Sequence, residues 1–196
     1  LPKNSTNLLT TPFFLKISVT VNTKSVAVVP SLSFPTISKP TTSGTTIDAT
    51  SHQLYSRLVN YNPDLGDIVP GLATDWQISE DGLSYTFNLR QNVLFHQSQR
   101  FKPQRVFNAD DVLFSFNRII DSQHPYHSVS RTGYPFFQSI SFEQLISSIE
   151  KVNDYQVIFH LNREDASFLS NLATDFAVVL SAEYAEKLLK DGLPEQ

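Results

Sequence analysis

Two stretches of strict alternation organise the chain. In Leu83–Arg90, Tyr85, Phe87 and Leu89 alternate with Ser84, Thr86, Asn88 and Arg90, and in Tyr155–Leu161 the apolar positions are Val157, Phe159 and Leu161. A period of two places successive side chains on opposite faces of a strand, so each segment predicts a strand with one buried face. Each has a hairpin partner. Asp75–Ser79 precedes the first across the turn Glu80-Asp81-Gly82, and Ser147–Val152 precedes the second across Asn153-Asp154. Elsewhere the spacing is helical. Asn108 is placed to cap a helix over Ala109–Ile120 whose Val112, Phe116, Ile119 and Ile120 share a face, with Asp110 and Asp111 at the positive end of its dipole. Asp48 similarly predicts a helix running to about Val59, with Leu54, Tyr55, Leu58 and Val59 on one side, broken by Pro63–Gly66. Asp165 starts a short helix to Ala173, Phe176–Leu180 reads as a buried strand, and Ser181 caps a last helix that Gly192 ends. Mixed hairpins and helices of this kind define an α/β (mixed α+β) lobe with a mixed sheet.

The first 47 residues have a different character. They are rich in Ser, Thr and Pro and hold no Asp, Glu or Arg, and no Gly before Gly44. Residues 1–40 are expected to be an atypical leader, disordered or read in a shifted frame, and residues 41–196 the folded lobe. The Leu1–Val21 segment lacks the uninterrupted apolar run and small-residue cleavage site of a secretory signal. No stretch approaches the roughly 20 apolar residues that span a bilayer.

Charge and composition then remove whole classes of chemistry. With 15 Lys and Arg against 19 Asp and Glu, the net charge of -4 gives nucleic acid no electrostatic footing. There is no cysteine, hence no disulfide, thiolate metal site or thiol nucleophile. There is also no methionine, which predicts a processed, truncated or incompletely translated chain. A nucleophile elbow, a Gly-rich phosphate loop and a His-Glu-x-x-His motif are all missing, and no spacing groups Ser, His and Asp into a triad, so no enzyme is expected. His124 and His127 are three apart, but Pro125 opposes a helix between them and a solvated loop is the favoured reading. His96 and His160 fall on predicted strands as structural residues.

Three ordered blocks carry a resemblance. They are Pro70-Gly71-Leu72-Ala73-Thr74-Asp75-Trp76 with its following hairpin, Phe107-Asn108-Ala109-Asp110-Asp111-Val112 with Phe114-Ser115-Phe116, and Ile149-Glu150-Lys151-Val152 through Phe159-His160-Leu161. Together they resemble the family 5 extracellular solute-binding proteins. The runs Thr42-Ser43-Gly44-Thr45-Thr46, His124-Pro125-Tyr126-His127 and Leu172-Ala173-Thr174-Asp175-Phe176-Ala177 are most similar to the dipeptide- and haem-binding branch.

The resemblance implies a periplasmic-binding-protein type II-like lobe, incomplete because family members are longer. It implies a periplasmic substrate-binding component of an ABC importer, with a dipeptide or short peptide as ligand and an inner-membrane ABC permease as partner. It implies neither catalysis nor a resident cofactor, with haem as an alternative ligand. Thr42, Ser43 and Gly44 are the candidate main-chain edge for a peptide, since glycine lets backbone approach a ligand closely; a plain helix-leading loop is the competing reading. Tyr134 is the candidate aromatic lining, with a surface-loop aromatic as the alternative. The residues before Thr41 depart from the family's opening strand, which predicts a frameshifted and truncated gene and leaves a non-functional fragment as a third reading.

Overall fold

The alternation at Tyr85–Leu89 and Val157–Leu161 becomes the centre of a four-stranded antiparallel sheet. The computed structural model describes residues 25–26, 55–62, 64–130 and 133–194. Its strands are β1 (Ser25–Val26), β2 (Val59–Asn62), β3 (Asp67–Pro70), β4 (Ala73–Ile78), β5 (Ser84–Leu89), β6 (Leu94–Phe95), β7 (Ile146–Asn153) and β8 (Gln156–Leu161). Its helices are α1 (Ala109–Ile120), α2 (Pro135–Ser139), α3 (Phe142–Leu145), α4 (Phe168–Leu172) and α5 (Ala182–Lys190).

The large sheet has the order β4-β5-β8-β7, with Tyr85 opposite Phe159 and Phe87 opposite Val157. β2 and β3 form a separate hairpin, and β1 pairs with β6 in a two-residue parallel contact. One face of the sheet is buried through Tyr85, Phe87, Leu89, Val157, Phe159 and Leu161, while the intervening Ser84, Thr86, Asn88, Gln156, Ile158 and His160 are half-buried on the other. α1 lies across the apolar face, where Phe116 meets the edge of the Phe159 ring at 5.2 Å. Phe87, Phe142 and Phe168 complete an aromatic core in which the rings tilt or meet edge-on in most pairs.

Both hairpins and α1 stand where the pattern places them. Gly82 turns the first hairpin at a φ of 67°, and its N–H donates to the Ser79 carbonyl at 2.9 Å. Asn108 and Asp111 make a reciprocal capping box at the start of α1, and Ser181 caps α5 through the Tyr184 N–H.

Two expectations are corrected. The helix placed over Asp48–Val59 falls outside the described residues up to residue 54. Beyond that Tyr55–Leu58 are not helical, and Val59 opens β2. Carbonyls that a helix would use internally are taken from elsewhere: Ser56 by the Val179 N–H, Arg57 by Leu72, and Leu58 by both Gly71 and Ala73. Gly71 makes that approach possible, because a Cβ there would stand 2.5 Å from the Arg57 carbonyl oxygen. Asp64–Gly66 instead lie in the turn of the β2–β3 hairpin, with the Gly66 N–H donating to the Asn62 carbonyl. In the second case, Ala177–Leu180 is buried as expected, but it forms only a single antiparallel bridge, Val178 with Arg57, and Phe176 is 49% exposed.

Candidate functional site

The meeting of Arg57 with residues 175–178 ties the start of the described body to its C-terminal quarter. Arg57 is 2% exposed; its guanidinium donates to Asn60 Oδ1 at 3.2 Å from both Nε and Nη2 and pairs with the Asp175 carboxylate. Burial pushes the Arg57 pKa down, and the Asp175 charge opposes that shift. Asp175 itself is 22% exposed. The next residue, Phe176, lays its ring flat on Phe136 of α2, with centroids 4.5 Å apart and planes at 16°. A fixed ion pair therefore adjoins an open aromatic surface. Such a surface offers apolar side chains a flat contact, and the neighbouring charges are already compensated.

Tyr134 is not a surface-loop aromatic. It is 6% exposed, its hydroxyl donates to the Tyr126 carbonyl at 3.2 Å, and it accepts from Arg118 Nη1 at 3.4 Å. The Arg118 guanidinium lies 5.3 Å from the centre of the same ring, and His127 stands 6.0 Å from it. Tyr134 immediately precedes α2 and so helps to set where Phe136 stands. Thr42, Ser43 and Gly44 lie outside the described residues; the described chain resumes at Tyr55, two residues before Arg57.

The loop histidines are less solvated than the sequence suggests. His124 and His127 are half-buried, with His124 Nδ1 accepting the Tyr126 N–H at 3.1 Å and His127 Nδ1 lying 3.1 Å from the Arg118 carbonyl oxygen. His96 falls just beyond β6 and is exposed, whereas His160 does sit on β8.

Three other groupings bear on chemistry. Asp111 is fully buried, and its carboxylate accepts from Arg105 at 2.6 and 2.8 Å, from the Asn108 N–H at 3.0 Å and from the Ala182 N–H at 2.9 Å. That makes it a structural knot as well as a cap. Only an arginine six residues upstream hinted at it. The sheet brings Ser84 Oγ within 3.1 Å of His160 Nδ1, and His160 Nε2 within 3.2 Å of Glu150 Oε2. The chain order hides this line of three, because the residues come from three strands. It stands on the open face of the sheet, where the Ser84 N–H is held by Ser79 Oγ and the Leu83 N–H by Asp81, so neither is free to bind an oxyanion beside Ser84. Among the described residues no cluster of three or more His, Cys, Asp or Glu could hold a metal ion. A groove of about 400 Å³ runs between Phe101–Gln104 and α5; along it Lys187 pairs with Asp191, and the Gln104 N–H donates to Glu183.

The described residues thus form an antiparallel sheet backed by helices, with an aromatic pair at one side. The chain belongs to the bacterial extracellular solute-binding proteins, family 5, whose middle-region model matches residues 67–193. It is 51% identical over 152 residues to heme-binding protein A of Haemophilus influenzae, covering 78% of this chain and 28% of that protein. It is 50% identical over 155 residues to the dipeptide-binding protein of Escherichia coli, covering 79% and 29%. The structure superimposes on the dipeptide-binding protein of Pseudoalteromonas sp. SM9913 in complex with Met-Leu, with a TM-score of 0.75 and 50% identity, over 79% of this chain and 31% of that one. The type II periplasmic-binding fold is thereby shown. The chain spans less than a third of the length of these relatives.

Proposed function

We propose that this chain forms part of the periplasmic substrate-binding component of an ABC importer for dipeptides and short peptides. The observation that carries the reading is the open Phe136–Phe176 stack beside the compensated Arg57–Asp175 pair. A carrier of peptides with varied side chains needs adaptable apolar contact together with backbone edges for what all peptides share. In this reading Thr42, Ser43 and Gly44 supply the backbone edge. Tyr134 belongs to the binding set by holding α2 and its aromatic residue in place. The partners are the peptide and an inner-membrane permease; the role is delivery, without catalysis or a resident cofactor.

Haem is the second reading, favoured by the 51% identity to a heme-binding protein. A third is a fragment that binds nothing specifically. The chain spans less than a third of its relatives' length, and each charge-assisted contact to a ligand that these 196 residues alone do not make costs about 1.5–3 kcal/mol, roughly ten- to a hundred-fold in affinity. The 196-residue chain alone is therefore expected to bind dipeptides only weakly.

Calorimetry on the chain extended to family length separates these readings. Micromolar or tighter binding across a dipeptide panel, weakened about tenfold or more by Phe176→Ala, is the expected result. A flat trace for dipeptides with a Soret shift on adding haemin would replace peptide by haem. Silence toward both would leave only the fragment reading.

A further inference from the structure

The loop that follows α1 contains a turn with an imidazole in an unusual place. His124 Nδ1 accepts the Tyr126 N–H at 3.1 Å across Pro125, the role an Asn or Asp side chain plays in an Asx-turn. Tyr126 is 4% exposed and fastens this turn to two other elements. Its hydroxyl donates to the Ala185 carbonyl of α5 at 2.5 Å, and its own carbonyl accepts the Tyr134 hydroxyl just ahead of α2. From α1, Phe114 packs against both rings, 5.6 Å from His124 and 5.3 Å from Tyr126.

We propose that this loop is an acid-operated latch, shut while the His124 imidazole accepts the Tyr126 N–H and released when that nitrogen takes up a proton. A protonated imidazole is a donor at both nitrogens, so Nδ1 would then face the Tyr126 N–H donor to donor. The surrounding charges reinforce the effect. Burial comes first in holding the His124 pKa below its usual value, Asp121 on the same loop opposes it, and Arg118 of α1 and His127 of the loop add to the depression. From α5, Tyr184 faces Tyr126. Because the closed form resists the proton, the open form takes it first. The latch is fully closed above about pH 6.5 and is lost progressively as pH falls below that value.

Opening removes the seat of the Tyr134 hydroxyl and so loosens the hold on α2 and Phe136. Only the consequence for binding rests on the peptide-carrier reading; the latch itself does not.

Amide hydrogen exchange on the full chain between pH 8 and 5, corrected for the intrinsic rate, reads the latch directly. Protection of the Tyr126 amide should fall about tenfold per pH unit once the open form protonates, while the core amide of Phe159 keeps its protection. His124→Asn retains an Asx-turn acceptor that does not titrate, so its Tyr126 amide should stay protected throughout. His124→Ala, with no acceptor, should be unprotected there at every pH. The proposal is overturned if the wild-type Tyr126 amide is as pH-independent as in His124→Asn. It is equally overturned if the Asn variant tracks the wild type, or if Phe159 loses protection in step with Tyr126.

Discussion

Replacing Asp111 by Ala is the perturbation that most directly tests how the body is joined to its C-terminal helix. The carboxylate is fully buried and accepts four hydrogen bonds: two from Arg105, one from the Asn108 N–H and one from the Ala182 N–H. Ser115 reinforces the same join, taking the Leu180 N–H at 2.8 Å. Deleting the carboxylate leaves a partly buried guanidinium holding the Val106 carbonyl, and two backbone donors without an acceptor. Breaking one side of a buried, hydrogen-bonded ion pair costs about 3–5 kcal/mol, a large share of a total stability of order 5–15 kcal/mol. Asp111→Asn keeps the shape and one acceptor, and should cost about 1.5–3 kcal/mol. The adjacent Asp110 is the internal control. It pairs with Lys151 at 2.8 Å on the surface, where its carboxylate is 47% exposed, and Asp110→Ala should cost under about 1 kcal/mol. Urea unfolding followed by the single Trp76 gives both numbers. With a slope of about 2 kcal/mol per molar, Asp111→Ala should lower the midpoint by roughly 1.5–2.5 M. Equal midpoints for the two alanine variants would refute the reasoning, since the two residues differ chiefly in burial and in what the carboxylate holds.

Phe159→Ala empties the point where Phe87, Phe116 and Phe168 converge on a ring that is 0% exposed, and should destabilise by about 3–5 kcal/mol in the same assay. At high pH, burial chiefly pushes the Tyr126 phenol up to about 12, with Tyr184 adding to it. The unfolded chain thus loses that proton first. Stability should fall as pH rises above about 10, the ordinary tyrosine value, and Tyr126→Phe should remove this component from the alkaline unfolding curve.

Much of the scaffold is visible in the pattern because its causes are local. Alternation at Tyr85–Leu89 and Val157–Leu161 dictates which side chains face the core, Gly82 permits the turn, and Asn108 with Asp111 closes the first turn of α1 whatever lies beyond. The ordered blocks from Pro70 to Leu161 likewise carry the family, since the matched region spans residues 67–193. The errors sit where partners come from far along the chain. Leu58 and Val59 have helical spacing to Leu54 and Tyr55, yet Gly71, Leu72 and Ala73 claim the nearby carbonyls. Tyr134, between Gly133 and Pro135, reads as a loop residue, and its burial depends on Arg118 and Tyr126.

By itself, then, the order of residues determined strand faces, turn positions, helix caps and membership of the solute-binding family, all of which depend on neighbours a few positions apart or on an ordered series of blocks. The tertiary structure alone decided that Arg57 meets Asp175, that Phe176 stacks on Phe136, and that Ser84, Glu150 and His160 line up across three strands. Periodicity says which way a side chain points. It cannot say which distant side chain waits there, because that pairing is set by how sheet and helices pack in three dimensions.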